Sequence, residues 1–183
     1  TRQTFEWMFR PKVYGSWSLH QLIKDRPDAL FVLFSSVNSI FGGATFSAYS
    51  AANSFLDNYV FHLRNTTHAR SYCFNWTMWD ETGMSEGNPQ FARESARNTG
   101  FFIMSKEHAL NSLIAGLRRT EPQIVIGVDA SSRHGQRHIN QKARARQSLS
   151  AYFQVRKDAG ASALNELLMR DVFGHDVECR LNQ

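Results

Sequence analysis

Residues 29–63 read ALFVLFSSVNSIFGGATFSAYSAANSFLDNYVFHL. The apolar run Ala29 to Phe34 is short, preceded by the polar turn KDRPD and followed by serines. Such a run suits a strand buried on both faces, as in a parallel sheet covered by helices. From Ser50 to about Arg64 the spacing predicts a helix, with Ala51, Phe55, Leu56, Tyr59, Val60 and Leu63 on one stripe. Tyr59 reads as packing. Ser35, Ser36, Asn38 and Ser39 fall where the strand ends, and in open α/β sheets ligands bind beyond the carboxyl ends of strands. Gly42 and Gly43 permit a tight return of the chain there. Tyr49 and Asn53, four apart, share a helical face at the amino end of the helix.

Upstream, Phe5, Met8, Phe9, Val13, Trp17, Leu19, Leu22 and Ile23 recur at helical spacing. Pro11 interrupts them, which predicts two short helices or one that bends. Downstream, RSYCFNWTMW (70–79) reads as a second strand and DETGMSEGNP (80–89) as a loop placed to cover a ligand. Gln90 to Asn98 reads as a short polar helix. Ser105 is a predicted N-cap for a helix with the face Ala109, Leu110, Leu113, Ile114 and Leu117, closed by Arg118 and Arg119. Pro122 precedes a last strand, QIVIGVD. Helices alternating with strands predict an α/β fold with a parallel sheet and right-handed crossovers.

Composition narrows the function classes. The 183 residues are 42% hydrophobic and 20% charged, enough for one ordinary domain with a core. A formal charge of +5 permits an anionic partner such as a phosphorylated cofactor but does not indicate nucleic acid. Residues Arg133 to Arg146 are basic without interleaved aromatics, which gives no support to single-strand binding. Cys73 and Cys179 form neither a disulfide framework nor a CxxC pair, and no apolar stretch is long enough for a membrane span. The chain therefore reads as soluble and cytoplasmic. His134 and His138 stand at helical spacing, yet no Cys, Asp or Glu near them completes a metal site, so no metal is expected. The segment 131–147 holds five Lys or Arg residues and no acid and reads as a basic linker or solvated helix. Residues 148–183 read as a small α+β tail unit, with Leu149, Ala151, Phe153 and Val155 alternating as in a half-buried strand.

Ser36, Tyr49 and Asn53 near one strand end, with Lys12 from the preceding helix, admit two readings. In the first they reduce a carbonyl: a phenol donates the proton as hydride adds to carbon, and a nearby ammonium stabilises the phenolate. The serine hydroxyl would hold the carbonyl oxygen, and the asparagine would orient the lysine directly or through a water. In the second, a serine-rich turn leads into a helix that packs its tyrosine, and Lys12 is an exposed surface lysine.

The runs FRPKVYGSWSLHQL (9–22), FVLFSSVNSIFGGATFSAYSAANSFLDNYV (31–60) and FNWTMWDETGM (74–84) resemble the ketoreductase domains of modular polyketide synthases and hybrid peptide synthetases. These are relatives of the short-chain dehydrogenases/reductases. The resemblance extends from about Phe5 to Asp129, with GFFIMSKEHALNSLIAGLRRTEPQIVIGVD similar to the family's closing helix and strand. Lys12 lies twenty-four positions before Ser36, Ser36 thirteen before Tyr49, and Asn53 four after it. With its lysine upstream, the set is closer to the ketoreductase pattern than to the YxxxK of common short-chain dehydrogenases.

The resemblance implies the C-terminal portion of a Rossmann-like doubly wound parallel sheet over residues 1–130. It implies Tyr49 as proton donor, Ser36 as carbonyl-binding hydroxyl, Lys12 as tuner of Tyr49 and Asn53 as organiser. It implies NADPH as cofactor, contacted here by Lys12 and Tyr49, and a keto-acyl substrate tethered to an acyl carrier protein. Trp79, Gly83 and Met84 would belong to the substrate lid. Phe41 stands where one stereochemical class carries tryptophan, which leaves the product configuration open. No GxGxxG or GxxxxGK[ST] occurs in the chain, so the glycine-rich cofactor half is expected upstream of Thr1. The strand around Phe31 would then show an open apolar edge, completed by the rest of the synthase or by a second chain. LSAYFQV has a faint similarity to the strand opening the small C-terminal subdomain of adenylating enzymes. The competing expectation is a non-catalytic structural or docking module with the same fold.

Overall fold

The computed structural model describes residues 2–43, 46–80, 82, 94, 96 and 98–137. Helix α1 (Arg2–Phe9) runs through a π-helical turn (Arg10–Tyr14) into α2 (Gly15–Ile23). Strand β1 (Leu30–Ser36) is followed by the short α3 (Asn38–Phe41) and the long α4 (Ser47–Thr66). Then come β2 (Arg70–Trp76), α5 (Lys106–Gly116) and β3 (Gln123–Ile126). The strands form one sheet in the order β1-β2-β3, all parallel, so the chain is α/β as its alternating pattern predicts.

The register determines which side chains share a face. Leu33 pairs with Cys73 and Ser35 with Asn75, while Phe34 pairs with Phe74 and Ser36 with Trp76. Since strand side chains alternate, Phe31, Leu33 and Cys73 meet Leu56, Tyr59, Val60 and Leu63 of α4 in one core. On the other face Tyr72, Phe74 and Trp76 form a second core with Ala109, Met104 and the half-buried Leu113, Leu117, Ile124 and Ile126. The α5 helix lies so close that a Cβ on Gly116 would run into the Phe74 ring.

Several sequence expectations change in the structure. The apolar run is not buried on both faces: Phe31 and Leu33 are, but Leu30 and Phe34 stay 50% and 45% exposed because α5 covers β2 and β3 instead. Along β1 the sheet edge has no partner among the described residues, which is the open edge expected. The α4 helix starts three residues earlier than expected and turns Ala51 to solvent, burying Ala52, Asn53 and Asp57. In the amino-terminal helices Leu19 and Leu22 are exposed while Ser16 and His20 are buried. The π turn at Pro11 inserts an extra residue and rotates the stripe, so a plain helical count misplaces it. On α5, Leu110 and Ile114 are exposed, leaving a narrow face of Ala109, Leu113 and Leu117.

Other expectations appear as read. Ser105 caps α5, its Oγ accepting from the His108 N–H at 3.2 Å. Tyr59 packs, stacked on Phe55 with its hydroxyl 2.7 Å from His20 Nδ1. Glu94, Ala96 and Asn98 are helical, within the short helix expected there. Residues 133–137 are helical, the start of the basic segment. The rest of that segment with His138, the tail from 148 with Leu149 and Cys179, and the lid residues Gly83 and Met84 lie outside the described residues.

Candidate active site

The carboxyl end of β1 brings most of the expected set together. Lys12 sits in the π turn, which carries its side chain to the strand: Nζ donates to the Phe34 carbonyl at 2.9 Å. The same Nζ lies 5.9 Å from the centre of the Tyr49 ring, within the range at which an ammonium and an aromatic face attract. The surface-lysine reading of Lys12 thus does not hold. Burial lowers the pKa of its ammonium, opposed by Cys73 and Asp57.

Tyr49 and Asn53 occupy the first turns of α4, half-buried and fully buried respectively. Asn53 Nδ2 donates to the Tyr49 carbonyl at 2.9 Å. Its Oδ1 is buried with no partner among the described residues. Asn53 thus bonds the backbone carbonyl of Tyr49, while Lys12 is held by the Phe34 carbonyl, with no direct bond to Asn53 among the described residues. Ser36, also buried, accepts from the Asn38 N–H at 3.2 Å. Among the described residues no hydrogen bond joins Ser36 to Tyr49. Gly42, with φ +73°, lets the chain leave α3 and swing back toward α4.

Two residues outside the expected set, Asp57 and Asn75, tie these pieces together through Ser35 and Ser39. Asn75 Nδ2 lies 2.7 Å from Asp57 Oδ1 and 2.9 Å from Ser39 Oγ. Ser39 Oγ is 2.6 Å from Asp57 Oδ2. Ser35 Oγ donates to the Asn53 carbonyl at 3.3 Å, joining the strand end to α4. The signals were present: Asp57 is one helical turn beyond Asn53, and Asn75 is a lone amide within an aromatic strand.

Trp79, the one residue of the expected lid that lies among the described residues, crosses Trp76 edge-on at 5.1 Å between ring centres and is bridged to Met104. Asp80 N–H donates to the Met104 carbonyl at 2.8 Å and Met104 N–H to the Met78 carbonyl at 3.0 Å. The segment leaving β2 is thus fastened to the one preceding α5. Among the described residues no His, Cys, Asp and Glu cluster could hold a metal ion, and no helix is long and apolar enough to cross a membrane.

A parallel sheet with helices over its faces, and a lysine, serine, tyrosine and asparagine gathered at one strand end, define an α/β protein of Rossmann-like type. Residues 1–81 match the family model described as KR domain. The chain is 36% identical over 118 residues to the spectinabilin polyketide synthase system protein NorB of Streptomyces orinoci, a stretch covering 64% of this chain and 5% of that protein. Among solved structures it is similar to an adenylation, ketoreductase and pseudo Asub multidomain structure of a keto acid-selecting NRPS module, with TM-score 0.69 and 33% identity over 76% of this chain and 11% of the other. It is also similar to a ketoreductase domain from the bacillaene assembly line, with TM-score 0.65 and 28% identity over 78% of this chain and 34% of the other. The chain belongs to the ketoreductase domains of the polyketide-synthase type and spans part of such a domain.

Proposed function

We propose that this chain supplies the proton-donating side of a site that reduces a keto group on an acyl chain carried by an acyl carrier protein, in polyketide or hybrid peptide biosynthesis. The observation that carries the reading is Lys12 Nζ beside both the Phe34 carbonyl and the Tyr49 ring. The substrate carbonyl lies between Ser36 and Tyr49, with the Ser36 hydroxyl donating to its oxygen. The Tyr49 hydroxyl gives its proton to that oxygen as hydride reaches the carbon, so the ketone becomes an alcohol and the phenol a phenolate. Lys12, as an ammonium, stabilises that phenolate, and solvent returns the proton.

The reductant in this reading is NADPH, which when bound supplies the hydride. Lys12 and Tyr49 are the residues here that fit its nicotinamide ribose, and Asn53 Oδ1 offers a buried acceptor beside them. The glycine-rich phosphate cradle is assigned to a part of the domain outside this sequence, as is the strand that would pair with β1. Trp79, Gly83 and Met84 are assigned to the lid. Residues 1–130 form the reductase portion, 131–147 a linker and 148–183 a separate unit.

The test is Tyr49→Phe in a complete ketoreductase domain containing this chain. Reduction of a soluble β-keto thioester should be lost while circular dichroism and NADPH binding persist; full activity rejects the assignment. A docking module would differ in that its complete domain does not bind NADPH. One neighbour favours a second reading of the substrate: the keto acid-selecting module suggests a selected keto acid in place of a polyketide β-keto acyl chain. Parallel assays with α- and β-keto thioesters separate the two.

A further inference from the structure

Asp57 is a buried carboxylate, 8% exposed, that the reduction step does not use. Three neutral groups contact its oxygens, the nearest being Asn75 Nδ2 at 2.7 Å on Oδ1 and Ser39 Oγ at 2.6 Å on Oδ2. Cys73 Sγ stands 3.5 Å from Oδ1, and burial pushes its thiol far above the usual range, so it remains protonated. The orientation of Asn75 follows from its other end, where Oδ1 accepts from Gln123 Nε2 at 3.0 Å. Its two amide hydrogens therefore face Asp57 and the serines.

Asn75 Nδ2 has four acceptors in reach: Asp57 Oδ1, Ser39 Oγ, and at 3.2 Å both Ser35 Oγ and the Ser36 carbonyl. It can serve only two fully, and the anionic oxygen takes the shortest contact. Ser39 has one hydroxyl hydrogen and two acceptors at 2.6 Å, Asp57 Oδ2 and the Ser36 carbonyl. The charge on Asp57 draws that hydrogen, which leaves the Ser36 carbonyl to Asn75. One carboxylate on α4 thus decides how the peptide carrying Ser36 is bonded, one turn from the asparagine that bonds the Tyr49 carbonyl.

We propose that Asp57, through Ser39 and Asn75, is a positioning residue that sets the Ser36-bearing end of β1 against the Tyr49-bearing start of α4. This rests on the ketoreductase reading above. It gives a buried charge a role in the site: a neutral residue of the same shape would keep the packing and lose the proton order. In Asp57→Asn an amide N–H faces Ser39, whose hydrogen must then turn to the Ser36 carbonyl. The carboxylate of Asp57 also opposes the effect of burial on the Lys12 ammonium.

The experiment uses a complete ketoreductase domain, NADPH and a soluble keto thioester, with kcat and KM measured per folded molecule. Asp57→Asn and the milder Ser39→Ala should each lower kcat on the order of 10- to 100-fold, because small misplacements of reacting groups carry such penalties. KM should stay within about twofold. Combined with Ser36→Ala, Asp57→Asn should add little, since both act on the same group. An unchanged kcat in both variants, losses that track only the folded fraction, or losses that multiply fully with Ser36→Ala overturn the proposal. Activity retained by Tyr49→Phe would instead overturn the reductase reading, so the two failures are distinguishable.

Discussion

The two faces of the sheet at its carboxyl end are built from opposite materials. Toward α4 lie Ser35, Asn75 and Asp57, a set of short directional bonds around one buried charge. Toward α5 lie Phe74 and Trp76, stacked at 5.5 Å between ring centres and crossed by Trp79. The polar face holds atoms by angle and proton order, so a small change there should act on rate. The aromatic face holds by shape and exclusion of water, so a change there should act on stability.

The strongest way to break this comparison is Tyr49→Phe, which keeps the ring and removes the proton. In a complete domain the reduction rate should fall roughly 10²- to 10⁴-fold, with a thermal midpoint near that of the unmodified domain. Next is Phe74→Ala on the aromatic face, where the ring is fully buried. It should cost about 3–5 kcal/mol by chemical denaturation, with activity per folded molecule largely kept. Were Phe74→Ala to depress kcat per folded molecule as Tyr49→Phe does, the division between the faces would fail.

Two smaller tests lie away from the site. His20 is buried against Tyr59, and burial lowers its pKa, with His62 and Lys24 acting in the same direction. The unfolded imidazole, at about 6.5, takes up a proton that the folded one resists. Stability should therefore be level above that pH and decline as pH falls below it; urea midpoints at neutral and mildly acidic pH measure the slope, which His20→Gln should flatten. Ser105→Ala removes the cap of α5 and should cost about 1 kcal/mol, read from the same denaturation curves. A change in catalytic rate from Ser105→Ala, remote from the polar face, would show that the aromatic side transmits to the site.

The alternation of apolar run, helix and aromatic strand gave the α/β order of elements, because period 2 and period 3.6 patterns are local properties. The spacing of Lys12, Ser36, Tyr49 and Asn53 left two readings open, and the resemblance to ketoreductase domains favoured the catalytic one. Burial was less legible. Leu19 and Leu22 fall off the buried stripe of α1 and α2 because the π turn shifts the helical phase, and the buried face of α5 is narrower than its apolar spacing because only a contact partner defines a helix face.

By itself the sequence determined the element order, the parallel sheet and the four residues expected at one strand end, since these follow from local spacing and a shared motif. Only the tertiary structure decided that Lys12 is held by the Phe34 carbonyl and that Asp57, Asn75 and Ser39 meet beneath Ser36. Those bonds join residues 18 to 36 positions apart. Sequence periodicity carries no information at that range; strand register and helix docking do.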